Sequence, residues 1–398
     1  MRRFAVLSLA VVLCVEFAQA SFIISPTLGN RDTSMAGNTV AVPTDAGSIL
    51  FHNAAGIMLD DAIPELNVSA MFFSPSFRYE NPEISYGGKS DEKPLVPVLW
   101  AGRFGLGEWR FGAGVYGAVG TAFNFQADPA AGIPNRFLSQ LTTLDLGFVA
   151  GRTILPGLDL GLQIAPVYGE LRLRSPSPAG PISFNADGFG VVGSLGLLYH
   201  VDEWTTFGVS YRSPNTVFMS GDARVGDSPD EVDFDLHIPQ LVGFAVAREI
   251  SDGLVLTAQA RWADYPEFEK GGLEFDRNPA FDRKPISSAR AGFRYGAALE
   301  YAVKPTLRFR AGVAREPWMM DEETVSPLLV DFTEFVYHVG VGIDVDEWTL
   351  DFEVGSGFAE DRVVTADTNP VFPGRYALKP GVAGGFAVTY RFATPAGI

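Results

Sequence analysis

Trp348-Thr349-Leu350-Asp351-Phe352-Glu353-Val354-Gly355 alternates without exception between a large apolar residue and a small, polar or acidic one. A period of two is the mark of a strand whose side chains point by turns to two faces. The same beat runs through Leu158–Ala165 and continues over the longer span Ser288–Tyr301. In that span Phe293, Tyr295, Ala297, Leu299 and Tyr301 alternate with Gly292, Arg294, Gly296, Ala298 and Glu300. It recurs at Trp109–Val115, Phe207–Arg212, Leu254–Trp262, Leu307–Val313, Phe335–Asp344 and Gly384–Phe392.

The second face is the informative one. A soluble β-sandwich would coat it with Lys, Glu and Thr, whereas here it is rich in Gly and Ala interleaved with Arg, Asp and Glu. Such a face suits a roomy lumen, with the apolar face turned to lipid. Composition agrees. Of the 398 residues, 47% are hydrophobic and only 19% charged, against about 25% charged in ordinary soluble domains. Disorder is excluded by that apolar content. Beyond the N-terminus, however, no run approaches the roughly 18–20 apolar residues of a spanning helix.

Connections come in two sizes. Short turns fall at Leu106-Gly107-Glu108, Leu155-Pro156-Gly157, Val201-Asp202-Glu203, Ser251-Asp252-Gly253, Lys304-Pro305 and Asp344-Val345-Asp346. Longer polar loops are expected near 81–93, 119–139, 173–184, 219–231, 266–286, 317–331 and 359–379. Six short and seven long connections, in strict alternation, join fourteen strands. Transmembrane β-barrels carry an even number of antiparallel strands, short turns on the periplasmic side and long loops outside. The expected fold is an all-β, fourteen-stranded antiparallel transmembrane barrel, which leaves no backbone group unpaired in lipid.

Residues 1–20 read as a secretory signal peptide: Arg2 and Arg3, an apolar run from Phe4 to Val15, and the cleavage pattern Ala18-Gln19-Ala20. The only cysteine, Cys14, leaves with it, so the exported chain has no thiol, disulfide or cysteine metal site. The formal net charge is −17, which disfavours nucleic acid as a partner. Residues 21–62 do not alternate, are divided by Gly29, Gly37, Gly47 and Gly56, and carry Leu28, Met35, Ile49, Leu50, Phe51, Ile57 and Met58. They are expected to form an N-terminal plug inside a barrel of residues 63–392, with 393–398 as a tail.

At this point the chain resembles a family, the FadL-type transporters of long-chain fatty acids and hydrocarbons in the Gram-negative outer membrane. The resemblance rests on Leu28-Gly29-Asn30, Ala36-Gly37 and the run Ser48–Met58, in which Phe51, Asn53, Ala54, Ala55 and Gly56 match the hatch motif. Ala54 stands where the family usually has proline. Further matches are Gly208–Pro214, Ile238-Pro239 and Leu307–Val313. The resemblance implies hydrophobic capture at an external mouth, passage past a hatch, and sideways exit into the bilayer beside a kinked strand. That route keeps an acyl chain out of water, worth about 0.8 kcal/mol per CH₂. Glycine inside a strand weakens pairing and marks bends, so Gly112, Gly114, Gly117 and Gly120 make the third strand the expected exit, the alternative being that they simply make lumen space.

Arg290, Arg294, Arg308, Arg310 and Arg391 are expected to face inward. They are placed either to hold a carboxylate bidentately or to form a lumen network with Glu300, Asp351 and Glu353. Two G-x-G-x-x-G strings, Gly112–Gly117 and Gly188–Gly193, lie in alternating strands and lack the strand–turn–helix context of a dinucleotide site. His52, His200, His237 and His338 show no metal-ligand spacing, and no nucleophile elbow is present. The acidic group Asp227, Asp230, Glu231, Asp233 and Asp235 reads as a solvated face. The terminal Tyr390-Arg391-Phe392 resembles a barrel-insertion signal, which makes the insertion machinery an expected partner alongside outer-membrane lipid and lipopolysaccharide. The expectation is a monomeric, passive outer-membrane transporter of hydrophobic molecules, without cofactor, metal or catalysis. The alternatives are a porin-like channel for polar solutes and a structural or adhesive barrel.

Overall fold

The computed structural model describes residues 24, 27–59, 63–81, 86–90, 95–127, 136–177, 180–379 and 381–392. The expected signal peptide and the 393–398 tail lie outside these residues. Fourteen strands form a closed antiparallel barrel. β1 comprises Glu65–Phe73 and Ser76–Asn81, β2 Tyr86–Ser90 and Leu95–Leu106, and β3 Trp109–Tyr116 and Gly120–Ala127. β4 is Arg136–Leu155, β5 Leu158–Ser175 and β6 Ile182–His200. β7 comprises Thr205–Arg212 and Asn215–Val225, β8 Ser228–Ile238 and Leu241–Ser251. β9 is Leu254–Ala263, β10 Gly292–Lys304, β11 Leu307–Glu316, β12 Glu334–Val345 and β13 Trp348–Ala359. β14 comprises Gly374–Lys379 and Val382–Arg391. It closes the ring on β1, from Glu65↔Arg391 to Phe73↔Ala383.

All six short turns lie at one rim. At three of them the chain takes the left-handed backbone that glycine supplies, Gly107 at φ 60°, Gly157 at φ 76° and Gly253 at φ 72°. At the other rim strands run on into several expected loops, as at Tyr86–Ser90, Gly120–Ala127 and Gly374–Lys379, and one expected loop is strand throughout. The expected polar loop 219–231 is instead a hairpin: β7 and β8 pair continuously from Asn215↔Ile238 to Val225↔Ser228 around Gly226-Asp227. Its charged residues, Asp222, Arg224, Glu231 and Asp233, occupy the outer face, while Val217, Met219, Val232 and Phe234 are buried on the inner one. The polar residues that suggested a loop are the solvated side of a strand that extends beyond the membrane.

β5 shows how the two environments meet. Near the short turn its outward residues are Leu158, Leu160, Leu162 and Ile164, while Asp159, Gly161, Gln163 and Ala165 face inward. Past Tyr168 the polarity inverts: Glu170, Arg172 and Arg174 point outward, and the buried residues become Val167 and Leu171. Lipid surrounds the first half and water the second. Outward aromatics mark the boundaries. Tyr199, Trp204, Tyr301 and Trp348 stand near the short turns, with Tyr211, Tyr295 and Tyr337 at the opposite edge, the arrangement of aromatic girdles.

Residues 27–59 lie against the lumen face of the strands. They contain a helical turn Asn30–Ser34, a wide turn Ser48–His52 and a 3₁₀ turn Ala54–Met58, nearly all buried. Lumen glycines make the close approach geometrically allowed. A Cβ at Gly161 would collide with the Ala54 backbone, one at Gly312 with Met35, and one at Gly208 with Val40. Gly312→Leu should therefore leave heat-modifiable migration of the barrel intact while residues 27–59 become cleavable by protease. Protection equal to wild type would contradict this packing.

Candidate functional site

The polarity inversion builds an apolar chamber at the long-loop end. Leu141 of β4, Leu171 of β5, Phe184 of β6 and Phe234 and Leu236 of β8 supply its walls, and Leu328 and Phe372 from the loops cover it. Its volume is about 350 Å³. Arg283 and Lys284, in the long connection between β9 and β10, also line it. Among the described residues no carboxylate pairs with either cation. The Arg283 backbone is pinned by reciprocal hydrogen bonds to Leu273, at 2.9 and 3.0 Å. Desolvation by the surrounding protein lowers its guanidinium from the ordinary value, yet both cations stay exposed to solvent, and Glu323 lines the chamber with them. Exposed cationic donors lining an apolar chamber suit a molecule with a long apolar body and one anionic end.

The five arginines expected to serve that role are placed otherwise. Arg294 pairs with Glu316 at 3.2 Å, Arg310 lies between Glu300 and Asp351, and Arg308 pairs with Asp344 at 2.6 Å near the short turns. Arg391 donates to Thr349 Oγ1 at 2.7 Å. Arg290 is half-exposed outside the strands, paired with Asp321 and stacked over Trp318. Each arginine thus has a partner within the protein, but of the expected network with Glu300, Asp351 and Glu353 only the contacts of Arg310 to Glu300 and Asp351 form, and Glu353 faces His338 instead.

Below the chamber sit residues 27–59, held by ties that run to several strands. Arg103 is the strongest. It is 2% exposed, occupies a bulge of β2 at φ 62°, and places Nε 3.1 Å from Glu65 Oε1. Its guanidinium also donates to the carbonyls of Leu59 and Thr44, the latter at 2.7 Å. Arg31 reaches Glu300 at 3.0 Å. Asn53 donates to Val40 O and to Leu197 O of β6, at 2.8 and 3.1 Å. Its Oδ1 accepts from Ala55 N and caps the 3₁₀ turn. Ala54 is the first residue of that turn, a position whose N–H lacks an intrahelical acceptor and which proline tolerates. Phe51 lies under two guanidiniums, those of Arg212 at 5.4 Å and Arg261 at 5.7 Å.

Two carboxylates inside the segment differ in character. Burial opposes ionisation of Asp32. His52 Nε2 at 3.0 Å, Thr39 Oγ1 at 2.5 Å and Leu28 N at 2.7 Å outweigh it and keep the group below the usual carboxylate range. Burial, reinforced by the nearby Asp32 charge, pushes Asp45 up to about 6.

The third strand is interrupted where glycines were expected to bend it, but only some of those glycines act there. Gly112 makes room for the Trp100 ring and Gly114 for Leu50 and the Leu99 carbonyl. Gly117 lies in the break between the halves of β3, and Gly120 starts the second half. Tyr116 pairs with Asp145 and Gly120 with Thr142, so β3 carries one residue more than β4 across the break. On the β2 side the ladder ends at Val98↔Tyr116 and resumes at Lys89↔Gln126. Among the described residues Gly117–Phe123 has no ladder partner on that side. Ile24 forms a bridge to Val119 there.

Neither G-x-G-x-x-G string forms a phosphate loop, since both lie in strands of the barrel wall. Among the described residues no group of acidic, His or Cys side chains is arranged for a metal. His52, His200 and His338 each face a carboxylate instead. Arg103, Arg283 and Lys284 were not singled out by sequence. Arg103 and Glu65 are 38 positions apart with no shared local pattern, and Arg283 follows Asp282 in what reads as an ordinary charged loop.

Residues 10–392 match the family described as Outer membrane protein transport protein (OMPP1/FadL/TodX). No curated protein sequence matches the chain. Among solved structures, a Pseudomonas aeruginosa FadL homologue superposes with a TM-score of 0.80 at 15% identity, covering 94% of this chain and 100% of that one. The Ralstonia pickettii toluene transporter TbuX gives 0.70 at 17% identity, covering 92% and 99%. The P. putida toluene transporter TodX gives 0.73 at 15% identity, covering 93% and 99%.

The raised Asp45 fixes a pH dependence. A carboxyl group that ionises less readily folded than unfolded favours docking of the segment at low pH, and this contribution is lost as pH rises from about 4 through about 6. Asp45→Asn should hold residues 27–59 more firmly than wild type above pH 6 and match it near pH 4, read as the rate of proteolytic cleavage within the segment. His52 contributes equally to both proteins and cancels in the comparison. Equal cleavage rates across the whole range would contradict the assignment.

Proposed function

We propose that this chain, which belongs to the OMPP1/FadL/TodX family of outer-membrane transport proteins for hydrophobic molecules, carries long-chain fatty acids or similar anionic amphiphiles. The observation that bears this reading is the apolar chamber whose cations, Arg283 and Lys284, have no carboxylate partner among the described residues. A purely hydrocarbon cargo has no use for them. A fatty acid uses both parts, its chain gaining about 0.8 kcal/mol per buried CH₂ and its carboxylate a charge-assisted pair.

Residues 27–59 serve as the hatch. They occupy the lumen below the chamber, and a polar-solute pore would need that space open. Movement of Phe51 from beneath Arg212 and Arg261 would open the way down and leave the Arg261 guanidinium, whose Nη1 has no partner among the described residues, to meet the carboxylate. Exit is sideways at the β2–β3 interruption around Gly117, where lipid can receive the chain directly. The energy source is partition alone, since a hydrophobic molecule moving from chamber to bilayer stays in apolar surroundings.

The second reading, a neutral aromatic cargo, is favoured by the toluene transporters among the similar structures. The two separate cleanly. Arg283→Ala/Lys284→Ala should weaken palmitate binding by about tenfold or more, the loss of one charge-assisted contact, and leave toluene binding unchanged. Equal losses for both ligands, or none, would contradict the anionic cargo. For the exit, Gly117→Trp should cut uptake several-fold while heat-modifiable migration persists. A Cβ there meets only the Thr143 carbonyl, at 3.3 Å. Undiminished uptake would move the exit elsewhere.

A further inference from the structure

The lipid-facing surface of the barrel is not uniformly filled. Across β7 to β13, away from the β2–β3 interruption, it holds a depression of about 900 Å³. The floor is made of small residues: Ala258 and Ala260 of β9 and Ala297 of β10. Phe207 and Phe244 stand on one side and Tyr295 and Tyr337 on the other, each about half exposed. These residues lie on consecutive hydrogen-bonded rungs, Val209↔Phe244, Phe244↔Ala260, Ala260↔Tyr295, Tyr295↔Arg315 and Arg315↔Phe335. At about 4.8 Å per strand, the rungs from β7 to β12 form an apolar trough roughly 24 Å long. Because barrel strands tilt by about 35–45°, a trough along the rungs climbs obliquely through the lipid belt.

At its higher end the trough meets a charge. Arg315 lines it, at the level of the outward girdle tyrosines Tyr295 and Tyr337. Its guanidinium lies 5.4 Å over the Phe335 ring and 3.4 Å from the Tyr295 hydroxyl. Three other outward-facing arginines are paired with acids, Arg152 with Glu108, Arg172 with Glu170 and Arg375 with Asp361. Among the described residues no carboxylate pairs with Arg315. It is half-buried and stands on the long-loop side of the belt, where lipid headgroups of the outer leaflet lie.

We infer that this trough is a binding site for the phosphorylated glycolipid of the outer leaflet, lipid A, with one acyl chain on the alanine floor and a phosphate on Arg315. Charge complementarity and position choose the occupant. The free donors of a guanidinium match a phosphate in geometry and charge, and only an outer-leaflet lipid brings a phosphate to that level with its chain pointing down the trough. The Tyr295 hydroxyl supplies a further donor beside Arg315. Small residues under the chain let it lie close to the sheet, where it replaces mobile bulk lipid. This site is distinct from the transport path, which runs inside the barrel.

The test uses the detergent-purified full-length barrel titrated with lipid A and read by native mass spectrometry. Wild type should retain one lipid A per barrel. Arg315→Gln should retain it about tenfold less well, the loss of one charge-assisted contact, and so should wild type offered dephosphorylated lipid A. Ala297→Trp should block retention by filling the floor. Heat-modifiable migration checks that each variant is folded, and palmitate binding should be unchanged in all of them. Equal retention by wild type and Arg315→Gln would overturn the proposal. So would preference for phosphatidylglycerol over lipid A, or retention unaffected by Ala297→Trp.

Discussion

Every backbone N–H and C=O that enters lipid must find a partner within the protein, because the solvent offers none. Here that demand is met by β1 pairing with β14 along nine residues, Glu65 to Phe73. Once the ring is closed, the two faces of each strand are assigned to different solvents. The outward face must be apolar where lipid touches it, and the inward face is free to carry glycine, arginine and acid. An open sheet of the same sequence would leave an edge of unpaired groups in hydrocarbon. The lumen, the packing inside it and the lateral interruption all presuppose the closed ring.

Extension of the strands past the membrane turns the same alternation to another use. In β5 the residues that would face lipid lower down become Glu170, Arg172 and Arg174, and the inner face becomes Val167 and Leu171. The wall above the membrane is an inside-out version of the wall within it, and this creates an apolar chamber exposed to the external side. Hydrophobic cargo is thereby offered a dry environment before it reaches the bilayer. Beneath the chamber the lumen is filled by residues 27–59, packed on the barrel wall through Ile49, Leu50 and Ile57 and fastened through Arg103, Arg31 and Asn53 to carbonyls and carboxylates. Polar ties between a few points can be exchanged for others at modest net cost, which is compatible with the hatch role proposed for the segment.

Much of this architecture was legible in the order of residues. The period of two marked the strands, and the alternation of short with long connections marked their number and the sidedness of the barrel. Gly29, Asn53 and Gly56 marked a segment of a different kind. What escaped was whatever depends on distance in sequence. The hairpin at 215–238 looked like a loop because its acids were counted without regard to parity. Arg290, Arg294, Arg308, Arg310 and Arg391 read as one inward set, which Arg290 leaves; Glu300 was foreseen as a partner, but Asp321, Glu316 and Asp344 are visible only in register. Arg283 was unremarkable beside Asp282 because the sequence does not say that Asp282 is engaged by the Phe275 amide, 2.8 Å away. Gly112 and Gly114 illustrate the converse error. They share a strand with Gly117 but serve the packing of Trp100 and Leu50, not the break.

The central claim is that a single strand faces lipid at one end and encloses an apolar chamber at the other. Cys14 is the only cysteine, so in a Cys14→Ser background cysteines can be introduced singly along β5 and labelled with an environment-sensitive fluorophore in liposomes. A lipid-soluble quencher should dim labels at positions 160, 162 and 164 and spare those at 170, 172 and 174, while added palmitate should perturb a label at 171 and not one at 163. Quenching that continues through 174, or a label at 171 indifferent to palmitate, would contradict the inversion and with it the chamber.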